Sequence, residues 1–199
     1  MISLQGKTFV VFGLRGTGKS TLVNYIANQY KTKALVYDTL NEVPQDASYD
    51  SYTPINRYNV GEVETIIKTV IDSRAYRLFI IDEANRFCPS KPNPLPPMVA
   101  DLNDQCRHYN IGVGYVARRP TQLNQDLTEL ADFVFIFHLK GKNDINYLND
   151  LSMGLGDAVL ALKPFHFILV KPDRSYTKYA PITPDKLWID RAKRHIEGK

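Results

Sequence analysis

Apolar residues in this chain gather into short runs separated by glycine-marked turns and by stretches where they recur at helical spacing. Thr8 to Phe12 (TFVVF) is a β-branched and aromatic run that stops at Gly13, the pattern of a buried strand opening into a turn. From Lys19 to Tyr30 the apolar positions Leu22, Val23, Ile26 and Ala27 fall on one helical face. The chain therefore starts strand, glycine loop, helix. Ala34 to Tyr37 is a second strand, and Asp38 to Asn59, rich in Asp, Asn, Pro, Ser and Tyr, reads as a long polar excursion. Val60 to Tyr76 carries the helical stripe Val63, Ile66, Ile67, Val70, Ile71, followed by a third strand, Leu78 to Ile81, that ends at Asp82.

Between Pro89 and Pro97 stand five prolines, which exclude a helix or a central strand there, and a helix resumes near Met98. Gly112 to Ala117 and Phe133 to His138 supply a fourth and a fifth strand, with a helical region from Leu123 to Leu130 between them. Ala158 to Leu162 and Phe165 to Val170 are expected to form a hairpin across Lys163 and Pro164. Thr183-Pro184-Asp185 opens a terminal helix whose apolar face is Leu187, Trp188, Ile189 and Ala192, running to Gly198. Alternating strands and helices predict an α/β fold with a mostly parallel sheet, plus a C-terminal β-hairpin and a short terminal helix. The length of 199 residues fits a single domain, a core of about residues 6–170 with an extension over about 171–199.

Composition narrows this only modestly. With 44% hydrophobic and 23% charged residues a sizeable core is available, which excludes disorder as the main state. Twenty-five Lys and Arg against 21 Asp and Glu leave a net charge of +4, which permits a phosphate-bearing partner without requiring one. Cys88 and Cys106 lack any metal-binding spacing, so a reducing compartment is the default. The first residues do not have the form of an export signal, and no apolar run approaches the roughly 20 residues of a membrane-spanning helix. The expected location is the cytoplasm of a cell.

Gly13-Leu14-Arg15-Gly16-Thr17-Gly18-Lys19-Ser20, followed by Thr21, satisfies the P-loop pattern. Backbone N–H groups of such a loop cradle phosphates, the lysine contacts the β- and γ-phosphates, and the hydroxyl of Ser20 ligates Mg²⁺. Asp82 and Glu83 stand together at a strand's C-terminal end, where ligands bind in parallel sheets. Asp82 suits the Mg²⁺, and Glu83 suits the activation of an attacking water. No guanine-reading N-K-x-D string occurs, so ATP is the expected nucleotide. Arg118, directly after the fourth strand, is placed to sense the γ-phosphate, and Arg107, at the end of the preceding helix, to serve a neighbouring subunit as an arginine finger. Arg119 is a further candidate for that role. Arg57, Arg86 and Lys91 are loop cations that could grip a phosphate backbone. The basic tail with Arg191, Lys193 and Arg194 reads as an exposed helix face.

The order GLRGTGKST, LFIIDE, CRHYNIGVGYVARRP resembles the FtsK/HerA superfamily of ring-forming, DNA-pumping ATPases, over roughly Thr8 to His138. In that family an arginine finger precedes the fourth strand and a polar sensor stands two residues before a proline, the positions of Arg107 and Arg118. The sensor is usually Gln; Arg118 departs from this, and Gln122 is a nearby substitute. A bare core of this size is similar to the genome-packaging ATPases of tailless icosahedral viruses with an internal membrane. The resemblance implies an ATP-driven translocase of double-stranded DNA, working as a homo-oligomeric ring, a hexamer, and docking on a capsid vertex or a virion membrane protein. Two other classes remain open on the residues alone. One is a small-molecule kinase in which Arg118 and Arg119 clamp an acceptor phosphate, and the other is a nucleotide-gated assembly factor without productive turnover.

Overall fold

The computed structural model describes residues 3–44 and 46–183; the terminal helix and the tail with Arg191, Lys193 and Arg194 lie outside the described residues. Strands β1 (Thr8–Phe12), β2 (Ala34–Tyr37), β4 (Leu78–Ile81) and β5 (Gly112–Ala117) have the predicted bounds, and β6 (Phe133–Ile136) ends two residues earlier than expected. Their uninterrupted apolar character reflects burial on both faces, as a parallel sheet covered by helices requires. The polar excursion contains one further strand, β3 (Asp50–Tyr52), at the sheet edge. The order is β3-β2-β4-β5-β1-β6-β7-β8, where β7 is Phe167–Val170 and β8 is Tyr176–Tyr179. All pairings from β3 through β6 are parallel, and β7 and β8 add antiparallel strands at the far edge.

Strand alternation divides the core in two. Val10 and Phe12 of β1 face one side together with Tyr37, Phe79, Ile81 and Tyr115. Against them pack α2 (Val60–Ser73), α3 (Pro97–Tyr109) and the pair α5 (Lys142–Leu151) and α6 (Leu155–Leu160), through residues such as Ile67, Leu102, Leu148 and Val159. Phe9 and Val11 face the other side with Ile80 and Val116, beneath Leu22, Val23, Ile26 and Ala27 of α1 (Lys19–Tyr30). The expected stripe of α1 is thus the face it buries. A short α4 (Gln125–Glu129), capped by the Asn124 side chain, falls within the expected helical region.

Three expectations need correction. Ala158 to Leu162 is not a strand: α6 occupies most of it, and the hairpin is β7 with β8. A short apolar run fits either form, and here Gly154, at φ +74° before the helix, and Gly156, which packs on the Ile145 carbonyl of α5, favour the helix. Lys142 to Leu151, for which no element is expected, is α5. Finally, α2 stops at Ser73 rather than Tyr76, because Arg74 takes the left-handed conformation that ends helices.

Candidate functional site

Every parallel strand delivers its C-terminal end to one edge of the sheet. That edge gathers the P-loop after β1, Asp38 after β2, Asp82 and Glu83 after β4, and Arg118 after β5. The P-loop follows from its glycines. Gly18 sits at φ +110° just before α1, and a Cβ on Gly13 would lie 2.7 Å from both Phe137 Cβ and Thr17 Oγ1. The loop is closed by the Thr17 hydroxyl, which donates to the Leu14 carbonyl at 2.8 Å. No side chain caps the start of α1 and no acid stands in its first turn, so its leading N–H groups are available to an anion. Lys19 donates from Nζ to the carbonyls of Gly13 (2.7 Å) and Leu14 (3.2 Å) and so lies folded along the loop. Burial lowers its pKa from the usual lysine value. Leu14, Arg15, Gly16 and Thr21 complete the loop, with Arg15 and Gly16 exposed.

Ser20 and Asp82 line a common cavity of about 30 Å³ together with Asp38 and Glu42. Asp38 is occupied structurally, accepting the backbone N–H groups of Glu42 (2.9 Å) and Val43 (2.8 Å). A hydroxyl and a carboxylate at a cavity of this size are the hard oxygen donors Mg²⁺ takes when phosphates and water supply the rest. Asp82 is fixed through its backbone: its N–H donates to Tyr37 (3.1 Å) and its carbonyl accepts from the Thr39 hydroxyl (2.6 Å). Burial, reinforced by the neighbouring Glu83, pushes its carboxyl up to about 7. The folded chain therefore keeps a proton there that the unfolded chain gives up near pH 4, and stability falls as pH rises from about 4 to about 7. Asp82→Asn cannot ionise. We expect it to melt with wild type near pH 4 and on the order of 5 °C higher at pH 7.5, without metal or nucleotide. Equal melting temperatures at pH 7.5 would contradict the burial of this charge.

Glu83 is held differently from its neighbour. Its backbone is left-handed (φ +51°), rare for a residue with a side chain, and this turns the carboxylate toward two arginines. Arg118 donates from Nε to Oε1 at 2.9 Å, and Arg86 Nε lies 3.9 Å from Oε2. Glu83 and Arg118 are thus brought together as expected for one site, but Arg118 is engaged by the acid rather than turned to an open phosphate position. Arg119 is also committed: its Nε donates to Asp144 at 2.8 Å, and Thr121 donates to the same carboxylate at 2.7 Å. Asp144 is 1% exposed, and nothing in the sequence pattern marks it. Gln122 lies exposed in the turn that begins at Pro120.

Arg107 stands apart from these groups. It stands in the last turn of α3, at the edge where β5 begins, and β1, five residues long, separates that edge from the P-loop by about 17 Å. Its side chain is 71% exposed and lies 3.5 Å from Asp132. Asp132 is satisfied without it, by Lys7 Nζ (2.9 Å) and the Thr8 N–H (3.0 Å). Of the loop cations, Arg57 is exposed, whereas Lys91 pairs with Asp126 at 2.7 Å. No helix among the described residues is long and apolar enough to cross a membrane.

The model of the ATPase family associated with various cellular activities (AAA) matches residues 9–139, from β1 to just past β6. Over 115 residues the chain is 26% identical to the DNA double-strand break repair helicase HerA of Pyrococcus furiosus; this takes in 55% of the chain and 21% of HerA, so the chain spans about a fifth of that relative. Among solved structures, B204, the DNA-packaging ATPase of Sulfolobus turreted icosahedral virus, superposes with a TM-score of 0.78 at 17% identity, over 91% of this chain and 100% of B204. The N-terminal domain of zonular occludens toxin from Neisseria meningitidis superposes with a TM-score of 0.56 at 15% identity, over 94% and 98% of the two chains. At such identities the likeness to the solved structures is one of fold.

Proposed function

The chain belongs to the ATPase family associated with various cellular activities and is a HerA-like P-loop ATPase, and from that premise we propose that it converts ATP hydrolysis into movement of double-stranded DNA through a ring of identical subunits, as in viral genome packaging. The observation that carries the reading is the likeness to B204, which extends over the whole of that DNA-packaging ATPase. A hexamer, docked on a capsid vertex or a virion membrane protein, is the assembly this reading expects.

In this reading the loop amides and the Lys19 ammonium take the triphosphate, and charge that develops on its oxygens meets the uncapped amides at the start of α1 already in position. Ser20 and Asp82 would hold Mg²⁺, which when bound would offset the negative charge of the phosphates. Lys19 must leave the carbonyls of Gly13 and Leu14 to do this, and phosphate oxygens are the stronger, charge-assisted acceptors. Arg118 is drawn toward the γ-phosphate for the same reason and in moving uncovers Oε1 of Glu83, which then orients a water and accepts its proton. Arg107 completes a neighbour's site, since its own is beyond reach. The engagement of Arg119 by the buried Asp144 tells against a kinase that clamps an acceptor phosphate with Arg118 and Arg119 together.

Displacement of a third strand from a DNA triplex tests the reading. With ATP and Mg²⁺ the chain is expected to strip the third strand from a long duplex, and with a non-hydrolysable analogue to leave it in place. ATP hydrolysis without displacement at low salt would contradict translocation.

A further inference from the structure

Phe165 stands where a chain usually places glycine. Residues 163–166 form a turn closed by the His166 N–H, which donates to the Lys163 carbonyl at 3.1 Å, with Pro164 and Phe165 at its centre. Phe165 has φ +61°, and in a turn with proline second, a positive φ at the third position calls for glycine or asparagine. A bulky side chain there is strained, and burial does not compensate, since Phe165 is 57% exposed. Packing therefore does not account for this ring.

The turn lies at the phosphate-binding edge. β7 runs antiparallel to β6 with Ile168 opposite Ile136, so the turn before β7 stands beside the residues that follow β6, next to the P-loop after β1. A Cβ on Gly18 would lie 3.7 Å from Phe165 Cδ1 and 3.1 Å from Phe137 Cε1. Both rings thus stand against the glycine that precedes Lys19. Phe137 packs on Phe167 with ring centroids 5.3 Å apart, and Phe167 stacks on Tyr179 at 5.4 Å, which fixes the strand end that carries the turn.

The sheet order gives a bound nucleotide its direction. Asp82 and Glu83 follow β4, which lies on the β5 side of β1. A γ-phosphate turned toward these acids leaves the α-phosphate, and the nucleoside beyond it, toward β6 and β7 on the other side. Neighbouring strands are about 5 Å apart, so the turn before β7 stands about 10 Å across the sheet from β1, within reach of a nucleoside. An exposed aromatic face at that place is what a base needs in order to stack.

Resting on the reading that the P-loop holds a nucleoside triphosphate for hydrolysis, we propose that Phe165 is the wall on which the purine base of the nucleotide stacks, and that it selects purine over pyrimidine nucleotides. The ring offers apolar area and a π-face but no hydrogen-bonding group, so it favours the base with the larger ring system. Phe165 is a binding residue in this scheme and takes no part in the chemistry.

The test measures dissociation constants for ATP, CTP and inorganic tripolyphosphate, which has no base, together with steady-state ATP hydrolysis, in wild type, Phe165→Gly and Phe165→Tyr. Glycine suits the positive φ, and melting curves confirm that the variants fold. Phe165→Gly is expected to weaken ATP binding about tenfold and to raise KM by the same factor, with kcat within about twofold. It should also bring ATP and CTP to equal affinity and leave tripolyphosphate unchanged. Phe165→Tyr is expected to match wild type, because the ring face remains. Wild-type ATP affinity in Phe165→Gly would overturn the proposal. So would equal weakening of ATP and tripolyphosphate, the result of a ring that only shapes the P-loop. Wild type that binds tripolyphosphate as tightly as ATP would remove the base subsite while leaving the P-loop reading intact, and wild type that binds neither would overturn both.

Discussion

Glu83→Gln is expected to lower ATP turnover at least a hundredfold while leaving the dissociation constant for ATP within about twofold, since a positioned general base is worth about 10² to 10⁴ in rate. The amide keeps the shape of the side chain and can still accept a hydrogen bond, but it cannot take the proton of the attacking water. ATP affinity rests on other groups, the P-loop amides and Lys19, none of which contacts the Glu83 side chain. Single-turnover hydrolysis alongside equilibrium binding of a fluorescent ATP analogue separates the two effects. Turnover near the wild-type level would remove Glu83 from the chemistry; loss of binding would mean that the charge of the acid pair, rather than a base, is what the site needs.

Arg107→Ala is expected to cost about 10³-fold in turnover, the lower end of what an arginine finger contributes. The geometry makes the source of that loss testable. Arg107 lies at the sheet edge opposite its own P-loop, and Asp132 retains Lys7 and the Thr8 amide when Arg107 is gone, so folding should be little affected. Mixing Arg107→Ala with Glu83→Gln then becomes decisive. Where an Arg107→Ala subunit stands next to a Glu83→Gln subunit, the intact P-loop and Glu83 of the first meet the intact Arg107 of the second. Two preparations that are each inactive should therefore recover part of the wild-type rate when mixed. No recovery, with both variants folded and associating, would assign Arg107 a structural role.

The parts of this site carried by local sequence were legible; those made by chain crossings were not. Strands buried on both faces announce themselves as apolar runs, and β1, β2, β4 and β5 have the bounds their residues suggest. The P-loop and the Asp82-Glu83 pair are equally local, because the loop and the strand end dictate where those groups stand. Helix α5 was harder to see, since KNDINYLNDL is mostly polar and its buried residues are only Asp144, Ile145 and Leu148. The choice of helix over strand for α6 depends on Gly156 meeting the Ile145 carbonyl, a contact no spacing reveals. The clamp on Glu83 joins Arg118, 35 positions away, with Arg86, itself held by Tyr58 of another loop. Sequence shows the cations of such a clamp but not their partners, which is why Arg118 reads as a free sensor and Arg86 as a surface grip. In the fold both face the Glu83 carboxylate.

Steady-state ATP hydrolysis as a function of protein concentration, with and without long double-stranded DNA at low salt, tests the central claim most directly. A ring motor whose sites are completed by neighbours predicts specific activity that rises cooperatively with protein concentration and rises further with DNA, the DNA effect fading steeply as salt is added. Specific activity independent of both protein concentration and DNA would contradict it, and would describe an ATPase that works as a single subunit on some other task.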